Sequence, residues 1–286
     1  MKTIQRIGIA GAGAMGQGIA QVFAQCGYEV ILYDVNSTQL SKAKENIQSI
    51  LQSAVSKGKM REDEMHAAMA RISFVPNVDG LKGDAIIEAI VEQLEPKREL
   101  FQLLAAQNAP DTLLVSNTSS IPITRIAKGI PHPGRIAGLH FFNPAPVMKL
   151  VEVIAAADTT PETINTLVAL VRNIQKTPVV CKDSPGFIVN RVARHYYVES
   201  LKLLEERVAD HETIDALMES AGFKLGPFKL MDLVGNDINF AVTSSLYESF
   251  HYEPRFRPSR LQQQKVDAGH LGRKSGKGFY NYNSPS

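Results

Sequence analysis

The sequence predicts an α/β N-terminal domain followed by an all-α C-terminal domain, and three observations carry that prediction. Short apolar runs alternate with longer helical patterns from the start of the chain, the strand signals stop near residue 183, and 286 residues suit two domains of ordinary size. The runs "RIGIAG", "EVILYD", "AIIEAIV", "TLLVS", "RIAGLHF" and "LVEVI" read as strands, most of them apolar on both faces. Helix-like segments fall between them at 15–26, 37–57, 94–107 and 121–129. Continuous apolar strands alternating with helices imply a parallel sheet covered on both sides. After "TPVVCKD" everything to about residue 268 scans at helical spacing, as in "IVNRVARHYYVESLKLLEERV". The expected domains are residues 1–183 and 184–286. The last stretch, "LGRKSGKGFYNYN", reads as an ordered tail or loop.

Composition is that of a soluble globular protein, 44% apolar and 21% charged. A net charge of +2 gives no reason to expect nucleic acid or an anionic membrane as partner. No stretch approaches the roughly 18 apolar residues of a membrane span. The start, "MKTIQRIGIAGAG", runs straight into a strand and leaves no room for a signal or transit peptide, so a cytoplasmic protein is expected. Cys26 and Cys181 lie far apart in apolar segments without metal spacing. They are expected to be buried spectators in a reducing compartment, and no metal site is expected.

"RIGIAGAGAMGQGIAQVFAQCGYEVILYD" contains a strand, then Gly11-x-Gly13-x-x-Gly16, then a helix and a second strand ending in Asp34. The first glycine permits a tight turn, the second admits a pyrophosphate, and the third lets helix and sheet pack closely. Exposed N–H groups at the helix start then bind the diphosphate. Alone the glycine pattern is weak, but here its whole strand–helix–strand context agrees, which makes the N-terminal domain a Rossmann-type dinucleotide-binding domain. Asp34 would accept hydrogen bonds from the adenosine ribose and repel a 2′-phosphate, so NAD is expected over NADP.

"GLHFFNPAPVMKLVEVI", residues 138–154, holds two apolar runs joined by a proline-punctuated turn, each with one misfit, His140 and Glu152. Burying a carboxylate costs several kcal/mol unless a partner satisfies it. Glu152 alternates with Val151 and Val153 and so faces the opposite side of the sheet from them. The turn is long enough to bring Glu152 beside His140, where it would fix the imidazole tautomer and stabilise the imidazolium. The alternative is a Glu152 paired with Arg or Lys beside a satisfied core histidine. A His–Glu pair next to a nicotinamide suggests alcohol oxidation, with the base removing the hydroxyl proton as hydride leaves the carbon. Two polar clusters fit this scheme. "SNTSS" (116–120) follows a strand at the end where α/β sheets place ligands. "DSPGFIVNR" (183–191) is expected to open a helix with Ser184 as N-cap and Pro185 at its first position, setting Asn190 about two turns along.

"GAGAMGQGIA", "EAIVE", "SNTSS", "RIAGLHFFNPAPVMKLVEVI", "KDSPGFIVNR" and "GRKSGKGFY" together resemble the L-3-hydroxyacyl-CoA dehydrogenase family, most closely its bacterial 3-hydroxybutyryl-CoA and 3-hydroxyadipyl-CoA branch. The likeness runs over nearly the whole chain in order. It implies NAD-dependent oxidation of a short-chain (S)-3-hydroxyacyl-CoA within fatty acid β-oxidation, with His140 as catalytic base and Glu152 as its orienting partner. Ser119 would hydrogen-bond the substrate oxygen, and Asn190 would hold the acyl group. NAD contacts would fall on the glycine loop (Gly11, Gly13, Ala14, Met15, Gly16), Asp34, Glu92, Lys97, Ser119, Asn143 and Lys274. The resemblance further implies a CoA contact at Lys57, where a nearby serine of some relatives is replaced by Ile50, and a homodimer formed through the C-terminal helical domain. Arg191 and Arg194 stay open between meeting a distal substrate carboxylate and ordinary surface or interdomain roles. Competing readings are a free-hydroxyacid (gulonate-type) dehydrogenase on the same fold and a non-catalytic nicotinamide-binding protein.

Overall fold

The computed structural model describes residues 3–282, and the chain forms two compact units, Met1–Ser184 and Pro185–Ser286. In the first unit the order is β1 (Arg6–Ala10), α1 (Ala14–Gln25), β2 (Glu29–Tyr33), α2 (Ser37–Ser56), α3 (Glu62–Ala70), β3 (Ile72–Val75), β4 (Ala85–Glu88), α4 (Leu94–Gln107) and β5 (Leu113–Ser116). Then follow α5 (Ile123–Ala127), β6 (Ile136–Phe141), β7 (Leu150–Ala155), α6 (Pro161–Asn173) and β8 (Thr177–Lys182). The strands make one sheet in the order β3-β2-β1-β4-β5-β6-β7-β8. β4, β5 and β6 are buried along their whole length, which is why their sequences are unbroken apolar runs. β1 lies between β2 and β4, so the strand order reverses at its carboxyl end and opens a crevice there.

The structure corrects several expectations. The sheet is parallel except at one seam, because β7 runs antiparallel to β6. Residues 142–149 are too few for the crossover of a dozen or more residues that a parallel return needs, so the chain can only double back. β3 adds an edge strand that the sequence reading lacked; it is short and mostly half-exposed, so no continuous apolar run marks it. α3 and α6 also lie outside the helices expected from the sequence, although at α6 the Thr160 hydroxyl accepts from Thr163 N–H and Pro161 occupies the first turn, a recognisable start signal. Cys26 and Cys181 are free and half-buried rather than buried. Burial raises both thiols, and together with the Glu152 and Asp183 charges it pushes Cys181 up to about 12.

The second unit is helical: α7 (Val189–Glu205), α8 (His211–Ser220), α9 (Pro227–Val234), α10 (Asn236–Ser249) and α11 (Arg260–Asp267). Tyr197, Leu201, Ile214, Phe228, Met231 and Phe279 form a core. The tail after α11 is ordered because buried Asp232 accepts from Phe279 N–H, Tyr280 N–H and the Tyr282 hydroxyl. α7 starts at Val189, not near Ser184. Gly186 and Phe187 adopt left-handed φ values of 72° and 51°, which breaks any helix begun at Pro185. Ser184 is therefore not its N-cap, and Asn190 lies in the first turn of α7 rather than two turns in. No helix of the described residues is long and apolar enough to cross a membrane.

Candidate active site

The glycine loop lies between β1 and α1, at the crevice. Gly11 has φ 102°, and a Cβ there would lie 2.5 Å from the Ala89 carbonyl oxygen. A Cβ on Gly16 would come within 1.8 Å of the Gly11 carbonyl oxygen, so α1 can dock on the loop only with glycine at that position. At Gly13 a Cβ would meet nothing within 4 Å, leaving an open face for a ligand. Gly13 is the N-cap of α1, no side chain caps the helix, and its first turn (Ala14, Met15, Gly16) contains no acid. The positive helix end is thus available to an anion.

Asp34 follows β2. Its Oδ2 accepts from Ala12 N–H at 2.8 Å and its Oδ1 from Asn36 N–H at 2.9 Å, so the carboxylate braces the loop and retains lone pairs for a ligand. A cleft of about 740 Å³ adjoins it, lined by Gly11, Gly13, Val35, Val91, Leu100 and Leu103 among others. Val35, Val91 and Leu103 are 81%, 61% and 44% exposed, an apolar wall left open to solvent. An anion cradle, a carboxylate and an apolar cleft in this sequence fit the diphosphate, ribose and adenine of NAD.

His140 and Glu152 occupy directly opposed positions of the β6–β7 ladder, and the backbone pairing therefore sets their contact. His140 Nδ1 lies 2.8 Å from Glu152 Oε2, with His140 3% and Glu152 0% exposed. A carboxylate only accepts, so Nδ1 carries the hydrogen, and in the neutral ring Nε2 presents its lone pair. The Ser119 hydroxyl lies 3.0 Å from that Nε2 and, with the ring neutral, donates to it. The three side chains form one chain, Ser119–His140–Glu152, with the ring nitrogen able to take a proton, Nε2, facing the Ser119 hydroxyl.

The "SNTSS" loop that presents Ser119 is held from below. Glu92 Oε1 accepts from the Thr118 hydroxyl (2.6 Å), Ser119 N–H (3.0 Å) and both the N–H and hydroxyl of Ser120. Burial pushes the Glu92 carboxyl up, but the Lys97 charge and these hydrogen bonds outweigh it and hold it below its ordinary value. Lys97, 1% exposed, pairs with Glu92 at 3.1 Å and with Glu88. Asn117 Oδ1 accepts from Phe141 N–H, tying the loop to the end of β6.

Glu88 and Ser116 of the "SNTSS" cluster belong to this network, and Glu88 is not among the candidate site residues of the sequence. The signal was available, since Glu88 is a lone carboxylate in the apolar run "AIIEAIV", just as Glu152 is in "LVEVI". Asn143 is exposed on the loop after β6. That loop is pinned by buried Lys176, whose Nζ donates to the Ala145 and Met148 carbonyls. Lys57 is exposed at the C-cap of α2, and Ile50 of the same helix is 52% exposed. In the second unit, Lys274 pairs with Asp237 at 2.6 Å. Arg194, 4% exposed, donates to the carbonyls of Asn190 and Asn239 and to the Thr243 hydroxyl.

Comparison with known proteins agrees with this architecture. The NAD-binding domain of 3-hydroxyacyl-CoA dehydrogenase matches residues 6–184, and the C-terminal domain of the same family matches residues 186–282. A 3-hydroxyadipyl-CoA dehydrogenase of Escherichia coli is 48% identical over 99% of this chain, which spans 60% of that relative's length. The crystal structure of an E. coli 3-hydroxybutyryl-CoA dehydrogenase superposes with a TM-score of 0.97 at 47% identity, covering 100% of this chain and 61% of the other. An (S)-3-hydroxybutyryl-CoA dehydrogenase from Ralstonia eutropha gives 0.95 at 37% identity, over 99% of this chain and 100% of its own. With both domains matched in order, the chain belongs to the 3-hydroxyacyl-CoA dehydrogenase family of NAD-dependent oxidoreductases.

Proposed function

We propose that this protein interconverts short-chain (S)-3-hydroxyacyl-CoA and 3-oxoacyl-CoA, with His140 as general base and acid, Glu152 as its orienting partner and Ser119 as the group that holds the reacting oxygen. NAD, when bound, accepts the hydride from C3 of the substrate. His140 Nε2 takes the hydroxyl proton in the same step, and Glu152 stabilises the imidazolium that results. Such proton transfer typically contributes 10²–10⁴-fold. In reverse the imidazolium returns its proton to the C3 oxygen. The observation that carries this reading is the Ser119–His140–Glu152 chain, since a buried carboxylate aligned on an imidazole serves no need of a non-catalytic scaffold.

On the same reading Asp34 selects NAD over NADP, Asn143 and Lys274 complete the nicotinamide-nucleotide contacts, Asn190 holds the acyl group and Lys57 meets CoA. Residues 184–286 serve substrate binding and homodimer formation in the cytoplasm. The names of the bacterial relatives favour hydroxybutyryl or hydroxyadipyl thioesters. The test is the initial rate of NADH oxidation with acetoacetyl-CoA and 3-oxoadipyl-CoA, each repeated with NADPH, beside NAD reduction with gulonate. Thioester turnover with NADH is expected; turnover of the free hydroxyacid alone would overturn the substrate class.

A further inference from the structure

We infer that Glu88 is a positioning residue for the reaction, acting on Ser119 through two separate branches; the inference rests on the proposed roles of Ser119 and His140. Glu88 ends β4, opposite Ser116 of β5, and is 0% exposed. It touches no open surface, so it cannot meet substrate. Its two carboxylate oxygens diverge. Oε2 accepts from the Ser116 hydroxyl at 2.6 Å, and the Ser116 oxygen in turn accepts from Thr118 N–H at 3.2 Å. Oε1 accepts from Ile90 N–H at 2.8 Å and pairs with Lys97, whose ammonium also holds Glu92. Glu92 then accepts from Ser119 N–H and the Thr118 hydroxyl.

Both branches converge on Thr118–Ser119, the segment that sets the Ser119 hydroxyl 3.0 Å from His140 Nε2. Stability alone does not account for this arrangement. Well-packed apolar residues in place of a buried ion pair are often neutral or better, whereas a polar network with fixed geometry determines where a loop atom sits. Displacing a reacting group by about 1 Å can cost on the order of 10²-fold in rate.

A double-mutant cycle on turnover tests the assignment. Glu88→Gln keeps the shape but removes the charge that holds Lys97, and is expected to lower kcat by roughly 10–10²-fold while NADH affinity stays near wild type. In a Ser119→Ala background the same change should cost less than about threefold, because the group it positions is gone. Ser116→Ala, which breaks one branch only, should show the same coupling at smaller amplitude and serves if Glu88→Gln does not fold. Additive losses in the Ser119→Ala background, with Ser119→Ala itself impaired, would overturn the role of Glu88 and leave the proposed function standing. A Ser119→Ala enzyme as fast as wild type would overturn both.

Discussion

Two carboxylates sit fully buried in the same sheet, and each is answered by a nitrogen. Glu88 at the end of β4 meets Lys97, and Glu152 in β7 meets His140. The chemistry of the partner separates them. An ammonium only donates, and Lys97, set between Glu88 and Glu92, holds its neighbours in place. An imidazole both donates and accepts, and on the proposed function His140 passes a proton to and from the substrate while Glu152 holds the ring. The path to the partner differs as well. Glu152 is delivered by backbone register, directly across an antiparallel ladder, whereas Lys97 reaches in from helix α4. On the proposed function one pair serves transfer, and on the further inference the other serves alignment.

The largest expected effect falls on the transferring pair. His140→Gln or Glu152→Gln should lower turnover by roughly 10²–10⁴-fold, with NADH binding, followed by fluorescence titration, close to wild type; a wild-type rate in either variant would remove the pair from catalysis. The aligning pair should respond in stability. Lys97→Met leaves Glu88 buried without its cation and is expected to cost about 3–5 kcal/mol in urea unfolding. Removing both charges in Glu88→Gln/Lys97→Met should restore much of that stability without restoring the rate. A Lys97→Met protein as stable as wild type would show that the two pairs are not distinct in kind.

A smaller effect concerns Glu92. Its carboxyl is held below the ordinary value of 4.5, so the folded state binds fewer protons there than the unfolded chain. That stabilisation is present above the unfolded value and is lost as pH falls through the lower folded value. The difference in thermal midpoint between wild type and Glu92→Gln should therefore be full above the ordinary value of 4.5 and shrink as pH falls from there through the lower folded value. A constant difference across that range would place the effect in packing rather than charge.

Legibility in the sequence follows the same division. Strands buried on both faces were readable as apolar runs, and the nearness of His140 and Glu152 was readable because alternation and a short turn fix which residues face each other. Glu88 met the same criterion of a carboxylate among apolar residues, yet its partner comes from a helix packed over the strand, and helical lysines ordinarily face solvent. The burial of Lys97 is thus a tertiary fact with no local sign. The start of α7 was misplaced for a backbone reason: Ser184-Pro185 is a sound capping signal, but Gly186 and Phe187 turn the chain left-handed before the helix can propagate. β3 escaped notice as a short edge strand whose residues are mostly half-exposed.

The doubling-back of β7 against β6 makes the length of residues 142–149 a chemical parameter. Pairing slipped by one residue would set Val151 or Val153 across from His140 and turn the carboxylate to the far side of the sheet. Connecting segments commonly absorb an inserted residue, but in this stretch even a single glycine that shifted the ladder would silence the imidazole while every functional side chain stayed in the sequence.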